Sequence, residues 1–216
     1  IVQFVWHCQK DITDIAAVEM DGSKEVFVAF TFSEDSSLYI MDFNMNPEID
    51  EVCNFGTTMS DLAYIKRTSE NFLLVGEFHT LLPVKGKPKN SRGLHFDNKF
   101  HHVRLKKDAT RIEKTVDIQT SSALTGLHVS PKVPSRALTK TSNILVAIDP
   151  EDGKLFWRRK LENTGKNIDI ADITSSDLDP MYIADHVNKR SVELNRKGGL
   201  TRILVSGETQ GMGFVW

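Results

Sequence analysis

Short runs of this chain alternate between apolar and polar residues, and polar turns separate the runs. A period of two is typical of half-buried β-strands. Residues 11–19 fit a helix or a strand on pattern alone, but the turn at residues 21–24 and the apolar run after it favour strand, turn and strand. Residues 25–32 are rich in aromatic and β-branched side chains, which predicts a central strand. Residues 38–43 predict its return strand.

The same pattern recurs further along the chain. Residues 59–65 resemble residues 12–18. Residues 72–78 resemble residues 26–32, so a second unit begins about 46 residues after the first. A repeat of this length, with one small antiparallel sheet in each unit, is typical of β-propellers. The pattern therefore predicts an all-β fold, a β-propeller built of four-stranded antiparallel blades.

Two further units follow. The third starts at Leu124, has its central strand at residues 142–149, and turns at residues 150–154, where Pro, Asp and Gly are typical turn residues. The fourth starts at Ile168. The chain is therefore expected to be a single propeller domain over residues 1–216, with approximate blades at 1–45, 46–118, 119–165 and 166–216.

Residues 178–207 contain the clearest of these units. Residues 181–184 predict a strand buried on both faces, and a polar turn follows. Residues 191–195 alternate as a half-buried strand does. Residues 197–199 contain two glycines and predict a tight hairpin, because glycine adopts positive φ without steric strain. Residues 201–207 then predict a third antiparallel strand.

Within this stretch Asp185, Asn188, Arg190 and Gly198 stand at the positions of a known repeat motif. Residues 178–207 resemble the NHL and YWTD repeats of six-bladed β-propellers. Residues 183–184 read Ile-Ala where the YWTD form has Trp-Thr, which favours the NHL-like form. The resemblance implies that the Asp and the Arg tie neighbouring strands or blades together. Their implied role is structural, and a fold alone does not specify an activity.

The resemblance also implies six blades, whereas the chain provides four complete units and additional end segments. A closed ring removes exposed sheet edges, so an open arc of four blades is physically unfavourable. At this repeat length six blades need about 270 residues, and the chain has 216. Either further blades are absent from the chain, or two half-blades close a ring of five or six blades. The resemblance favours six, with part of the ring absent from the chain.

Composition and charge narrow the classes of function. The chain is 40% hydrophobic and 26% charged, as ordinary globular domains are. Its net charge of -2 provides no general attraction to nucleic acid or to anionic membranes, so neither is an expected partner. No apolar run approaches the roughly 20 residues that span a bilayer. The first residue is Ile1, so a removed signal peptide stays open, and both an extracellular and a cytoplasmic location are allowed.

The two cysteines leave the compartment undecided. Cys8 and Cys53 could form a disulfide that closes a long loop, or both could be buried thiols in a reducing compartment. No disulfide-dense framework is predicted.

The most basic segment is a candidate binding loop. Residues 82–93 contain two prolines and two glycines, which prevent regular structure, and the charges come from Lys85, Lys87, Lys89 and Arg92. The simplest interpretation is an exposed hairpin loop on one rim. The functional alternative is a binding site for an acidic protein or another polyanion.

Histidines and acids raise the question of a metal site. In one continuous strand, His95 and His101 would lie about 20 Å apart, too far for one zinc ion. A hairpin near Asp97 could bring them together with His102; otherwise these are exposed polar residues on an outer strand. Calcium is a second possibility, because six-bladed lactonase-type propellers hold this ion and it prefers oxygen ligands. The candidate ligands for calcium are Asn167, Asp169, Asp172, Asp177 and Asp179, although solvated loop acids are the simpler interpretation.

No catalytic residue is assigned from the sequence. A Gly-x-Ser-x-Gly elbow, a Walker loop and a dinucleotide fingerprint are all missing from the sequence. The sequence therefore favours a non-enzymatic binding or scaffold propeller, which engages a protein or an extended ligand through its rim loops or its central channel. The alternatives are a calcium-dependent hydrolase of the lactonase type and a small-molecule carrier. No cofactor is predicted apart from this possible calcium ion.

Overall fold

The computed structural model describes residues 9–206 apart from internal gaps. The gaps are residues 24, 43–48, 57–60, 67–69, 82–94, 119, 121–123, 131–132, 142, 164–165, 168–169, 176–179, 186 and 196–198. The described residues form strands and no helix, so none of them belongs to a helix long and apolar enough to cross a bilayer.

The strands form four four-stranded antiparallel sheets, which are the blades of a β-propeller. Blade 1 contains β1 (Ile12–Glu19), β2 (Val26–Phe32), β3 (Ser37–Asp42) and β4 (Ile49–Asn54). Blade 2 contains β5 (Asp61–Lys66), β6 (Asn71–Leu81), β7 (His95–Arg104) and β8 (Arg111–Asp117). Blade 3 contains β9 (Thr125–Val129), β10 (Ala137–Lys140), β11 (Ile144–Ile148) and β12 (Leu155–Lys160). After a short hairpin of β13 (Glu162–Asn163) and β14 (Lys166–Asn167), blade 4 contains β15 (Ile170–Ser175), β16 (Met181–Asp185), β17 (Arg190–Leu194) and β18 (Leu200–Ser206).

Each blade is a simple meander, so strands that follow each other in sequence are neighbours in the sheet. The first strands of consecutive blades, β1, β5, β9 and β15, contact one another in that order. They form the inner side of the propeller, and β4, β8, β12 and β18 are its outer strands. The predicted fold class is confirmed.

Two details of the predicted blades differ from the structure. Strand β4 pairs with β3, with Leu38 opposite Cys53 and Ile40 opposite Asp50. Blade 1 therefore extends to Asn54 rather than to residue 45. The structure describes four blades where the resemblance implied six, and a larger ring of which this chain supplies four blades stays a prediction.

Apolar side chains fill the spaces between consecutive blades. One buried cluster joins Val18, Phe27 and Leu38 of blade 1 to Leu73 and Val103 of blade 2. Corresponding clusters lie between blades 2 and 3 and between blades 3 and 4. Burial of this apolar surface is the main force that holds antiparallel sheets face to face. Among the described residues, blades 1 and 4 share no such cluster.

Polar contacts at the ends of strands fix how blades 1 and 2 are aligned. Oδ2 of Asp14 accepts a hydrogen bond of 2.7 Å from the backbone N–H of Leu62. Oδ1 of Asp21 accepts one of 2.9 Å from the N–H of Asn71, and the N–H of Asp21 donates to the carbonyl of Leu105. Buried backbone groups need such partners, so these bonds restrict the sliding of one blade on the other.

The expectation for the histidines of blade 2 was wrong. Strand β7 runs without a hairpin from His95 to Arg104 and is the third strand of its sheet, not the outermost. His101 and His102 are buried rather than exposed, with relative exposures of 6% and 3%. Both nitrogen atoms of His101 and Nε2 of His102 have hydrogen-bond partners in the protein, which makes the burial of these rings possible.

Candidate functional site

A groove of about 490 Å³ lies between blades 1 and 2 at one rim of the propeller. Its size is within the usual range of ligand pockets. We call it the rim groove, and the residues that line it are Met20, Glu25, Phe27, Ile40, Asp42, Asp50, Glu51, Val52, Lys106, Lys107, Asp108, Ala109 and Thr110. The segments come from four separate parts of the sequence, which only the fold brings together.

The floor of the rim groove is apolar. Met20, Phe27 and Ile40 are buried, and they also belong to the hydrophobic cluster between blades 1 and 2. Val52 of β4 packs against the same cluster and is half-buried. A floor that is part of the core is rigid, so the groove does not need to form when a ligand arrives.

The rim of the groove is acidic. Five carboxylates line it, and only two lysines oppose them. Glu25, Asp50 and Asp108 are exposed, so their charges face solvent at the opening. Glu51 is bound by the hydroxyl of Ser37, which donates to Oε1 at 2.7 Å. Carboxylates above an apolar floor fit a ligand that has positive charges and an apolar part.

The turn between β7 and β8 forms the second wall of the rim groove. The N–H of Ala109 donates to the carbonyl of Lys106 at 3.1 Å, and the Thr110 hydroxyl donates to the same oxygen at 3.0 Å. Asp108 has a φ of 60°, a left-handed conformation that Asp and Asn tolerate better than most residues. An isolated bridge between Asp21 and Lys106 attaches this turn to blade 1.

Next to this wall, Arg104 is surrounded by three carboxylates. Its guanidinium lies 2.9 Å from Glu70, 3.3 Å from Glu113 and 3.5 Å from Asp21. The hydrogen bond to Glu113 is the main cause of a raised Arg104 pKa. The guanidinium is charged at neutral pH. It therefore joins the acids of both blades but does not remove the negative charge of the groove itself.

A carboxylate, an imidazole and a hydroxyl group form a hydrogen-bonded chain across blade 2. Nε2 of His101 lies 2.7 Å from Oε2 of Glu77, and Nδ1 lies 3.0 Å from Oγ1 of Thr115. In the tautomer of the neutral ring that has its proton on Nε2, Nε2 donates to the carboxylate and Nδ1 accepts from the Thr115 hydroxyl. Glu77 and His101 are buried, whereas Thr115 is exposed.

This order of groups is the one that activates a nucleophile in catalytic triads. However, the ring of His101 packs on Phe55 of blade 1 with the centroids 5.0 Å apart, and neither residue lines the rim groove. Glu77 and Thr115 do not line it either. The polar contacts of the His101 ring therefore lie within blade 2, and its ring contact with Phe55 joins blade 2 to blade 1.

Three of the four residues of the repeat motif lie together in blade 4. Oδ2 of Asp185 accepts hydrogen bonds from Nε of Arg190 at 2.8 Å and from Nδ2 of Asn188 at 2.8 Å. Asp185 has no exposed surface, and Arg190 is 8% exposed. Asp185 and Arg190 face each other in the β16–β17 register, and Lys189 between them has a φ of 48°. These contacts close the turn between the two strands.

Other predicted residues lie outside the part of the chain that the structure describes. They are Lys85, Lys87, Lys89 and Arg92 of the basic loop, Gly198 of the repeat motif, and Asp169, Asp177 and Asp179 of the acidic stretch. Asp172 lies in β15. The described residues contain no group of three or more His, Cys, Asp or Glu that could hold a metal ion.

Cys53 is a free thiol. It lies in β4, where it is buried against the cluster between blades 1 and 2, and Cys8 is outside the described residues. Burial raises the pKa of Cys53 to about 11. The thiol is therefore protonated at neutral pH and is a weak nucleophile.

Comparisons with known proteins show the fold. No family model and no curated protein matches the chain. Among solved structures, a luciferin-regenerating enzyme is similar with a TM-score of 0.58 and 12% identity, over 94% of this chain and 66% of that one. A protein of unknown function from Bacteroides thetaiotaomicron VPI-5482 has a TM-score of 0.56 and 12% identity, over 89% of this chain and 43% of that one. Another from Bacteroides caccae has a TM-score of 0.54 and 11% identity, over 93% and 63%.

The chain therefore spans between 43% and 66% of the length of these three structures. At such low identity, the likeness concerns the propeller fold alone. It does not transfer the activity of any one of these proteins to this chain.

Proposed function

We propose that the chain is a non-enzymatic binding propeller of the NHL-like type, and that its rim groove holds a basic extended segment of a partner protein. The observation that carries the proposal is the combination of a rigid apolar floor with an acidic opening. Apolar side chains of the segment would cover the floor, and its lysines or arginines would face the exposed carboxylates. Charge complementarity of this kind raises association rates and selects the partner.

The test uses a labelled peptide in which lysine alternates with leucine, and measures its binding by fluorescence anisotropy. The double variant Glu25→Lys/Asp50→Lys reverses two exposed charges at the opening of the groove. We expect it to weaken binding about tenfold or more, because both reversed charges would repel the peptide. Raising the salt concentration should weaken binding to the unaltered protein in the same direction.

The matched control is the double variant Asp11→Lys/Glu34→Lys. Both residues are exposed and lie outside the groove, and the change in net charge is the same. If the control weakens binding as much as the groove variant does, only the net charge matters and the groove is not the site.

The calcium-dependent hydrolase and the small-molecule carrier stay alternative predictions. Under the proposed binding function, we expect the midpoint of thermal unfolding to be the same in the presence of calcium and in the presence of a chelator. A native-state ligand present at 100 times its dissociation constant adds about 2.7 kcal/mol, which would raise the midpoint by several degrees. Such a rise would favour the calcium-binding alternative, and ester and lactone hydrolysis would then be the activities to assay.

A partner-binding role of the basic loop at residues 82–93 is a separate proposal. Deleting the loop and repeating a pull-down with an acidic protein tests it. The acidic bait tests the loop alone, because the rim groove is proposed to hold a basic segment.

A further inference from the structure

The outer strand of blade 3 differs from the other three outer strands in its charge. Strand β12 is the terminal strand of its sheet and pairs with β11, and no other described strand lies beside its outer edge. It reads Leu155–Lys160, LFWRRK, and five of its six residues are exposed. Its three consecutive basic residues, Arg158, Arg159 and Lys160, all belong to the exposed group.

The other outer strands have a different pattern of charged residues. Strand β4 carries Asp50 and Glu51. Strand β8 contains both basic and acidic residues. Strand β18 has one charged residue, Arg202. A run of one charge sign without any acid in the strand is therefore special to β12 among the described outer strands.

The register of β12 places its basic side chains on both faces of the blade. Arg159 faces Leu145 across the strand pair, and Leu145 belongs to the cluster shared with blade 4. Arg158 faces Val146, which belongs to the cluster shared with blade 2. Side chains that are directly opposite in an antiparallel pair point to the same face. An added strand beside β12 would therefore meet positive charge above and below its backbone.

Aromatic surface accompanies this charge. The side chain of Phe156 is exposed, and the guanidinium of Arg136 lies over its ring at 4.6 Å from the centroid. A register shift between Ala147 and Ile148 leaves Phe156 without a direct cross-strand partner. An exposed aromatic ring with a cation beside it offers both apolar contact and a positive potential to a ligand.

We propose that β12 is a docking edge for an extended acidic segment of a partner protein, which adds to blade 3 as a fifth strand. Backbone hydrogen bonds along the free edge would supply affinity, as in other cases of strand addition. Acidic side chains on alternate faces would reach Arg158 on one side and Arg159 on the other. This site is separate from the rim groove, which none of these residues lines, so the inference stands or falls independently of the proposed function.

The experiment measures the binding of a labelled peptide of alternating glutamate and valine by fluorescence anisotropy. We expect the double variant Arg158→Glu/Arg159→Glu to weaken binding about tenfold or more, because two attractive contacts become repulsive. Circular dichroism and thermal unfolding verify that the variant is folded.

Two further measurements separate strand addition from general attraction. The control variant Arg111→Glu/Arg202→Glu makes the same change of charge on the outer strands β8 and β18, and it should bind the acidic peptide nearly as well as the unaltered protein does. A peptide with N-methyl groups on alternate amides keeps its charges but cannot form a strand ladder, so it should bind at least about tenfold more weakly.

Three results would overturn the proposal. They are an equal loss of binding in the control variant, unchanged binding of the N-methylated peptide, and tighter binding of a single-stranded oligonucleotide than of the acidic peptide. The last result would identify β12 as a nucleic-acid surface instead, because aromatic and basic residues together also bind unpaired bases. Concentration-dependent self-association that the Arg158→Glu/Arg159→Glu variant abolishes would likewise replace the partner segment with a second copy of the chain.

Discussion

Replacing Asp185 with alanine should lower the free energy of unfolding by about 3–5 kcal/mol, the usual effect of removing one partner of a buried ion pair. The carboxylate has no exposed surface and accepts hydrogen bonds from Arg190 and Asn188. Without it, the guanidinium of Arg190 would remain charged and buried with no carboxylate at Nε. Water cannot easily replace the lost acceptor at such a site.

Urea unfolding, followed by circular dichroism, measures this effect through the shift of the midpoint at constant slope. A double variant, Asp185→Leu/Arg190→Met, replaces both charges with apolar side chains and should lose much less stability than Asp185→Ala. The pair of Glu193 and Arg202 provides the comparison. The Arg202 side chain is exposed, so Arg202→Met should lower the free energy of unfolding by only about 0.2–1 kcal/mol. A loss below about 1 kcal/mol for Asp185→Ala would contradict the structural role of the ion pair.

Strands in the middle of a blade could be predicted from the sequence, because the spacing of their apolar residues is visible within a few consecutive positions. Residues 25–32 were expected as a strand, and β2 is Val26–Phe32. The predicted strand at residues 191–195 corresponds to β17 (Arg190–Leu194). In both cases, an alternating or continuous run of apolar residues next to a turn is enough to predict the strand. Strand β10 has only four residues, Ala137–Lys140, and was not predicted, because such a short run has no visible period.

The environment of the histidines could not be predicted in the same way. Whether a histidine is buried depends on its hydrogen-bond partners, and these are distant in sequence. His102 donates from Nε2 to the carbonyl of Pro150, 48 residues away. The partner of His101 on β6 is Glu77, 24 residues away. A local sequence pattern carries no information about partners so far away in the chain. The prediction that these histidines are exposed polar residues was therefore wrong.

The rim groove was missed for a related reason. Phe27 of its floor lies in a strand that the sequence predicts, but the acids of the groove come from different segments of the chain. The predicted blade boundary assigns Asp50 and Glu51 to the second unit, whereas they lie in β4 of blade 1. Only the pairing of β4 with β3 and the approach of the β7–β8 turn place these carboxylates around one opening.

The contact of Gly153 with blade 2 could likewise not be predicted from the local sequence. Gly153 was predicted as a turn residue, and it has a φ of 73° in the turn between β11 and β12. A Cβ atom at this position would lie 2.1 Å from the backbone oxygen of Asp117 in blade 2. Two further contacts, from His102 to the carbonyl of Pro150 and from Lys114 to the carbonyl of Glu151, hold the turn against blade 2. The turn therefore cannot move away without breaking them.

We expect Gly153→Ala to lower the free energy of unfolding by about 2–5 kcal/mol, because the cost of positive φ adds to the cost of overpacking. Gly22→Ala is the matched control. Gly22 has a φ of 87°, and nothing lies within 4 Å of the position of its Cβ. Gly22→Ala should therefore lower the free energy of unfolding by about 1–2 kcal/mol, which is the cost of the backbone strain alone.

The difference between the two glycine variants measures how tightly blade 3 packs on blade 2. Because the obstructing atom belongs to the backbone of Asp117, trimming a neighbouring side chain should not relieve the clash. The double variant Gly153→Ala/Val116→Ala tests this, since Val116 Cγ1 is the nearest side-chain atom at 3.2 Å. Rescue of Gly153→Ala by Val116→Ala, or equal losses for Gly153→Ala and Gly22→Ala in urea unfolding, would show that the turn is free to shift. In that case the interface between blades 2 and 3 would depend on the apolar cluster alone, without the backbone contact at Gly153.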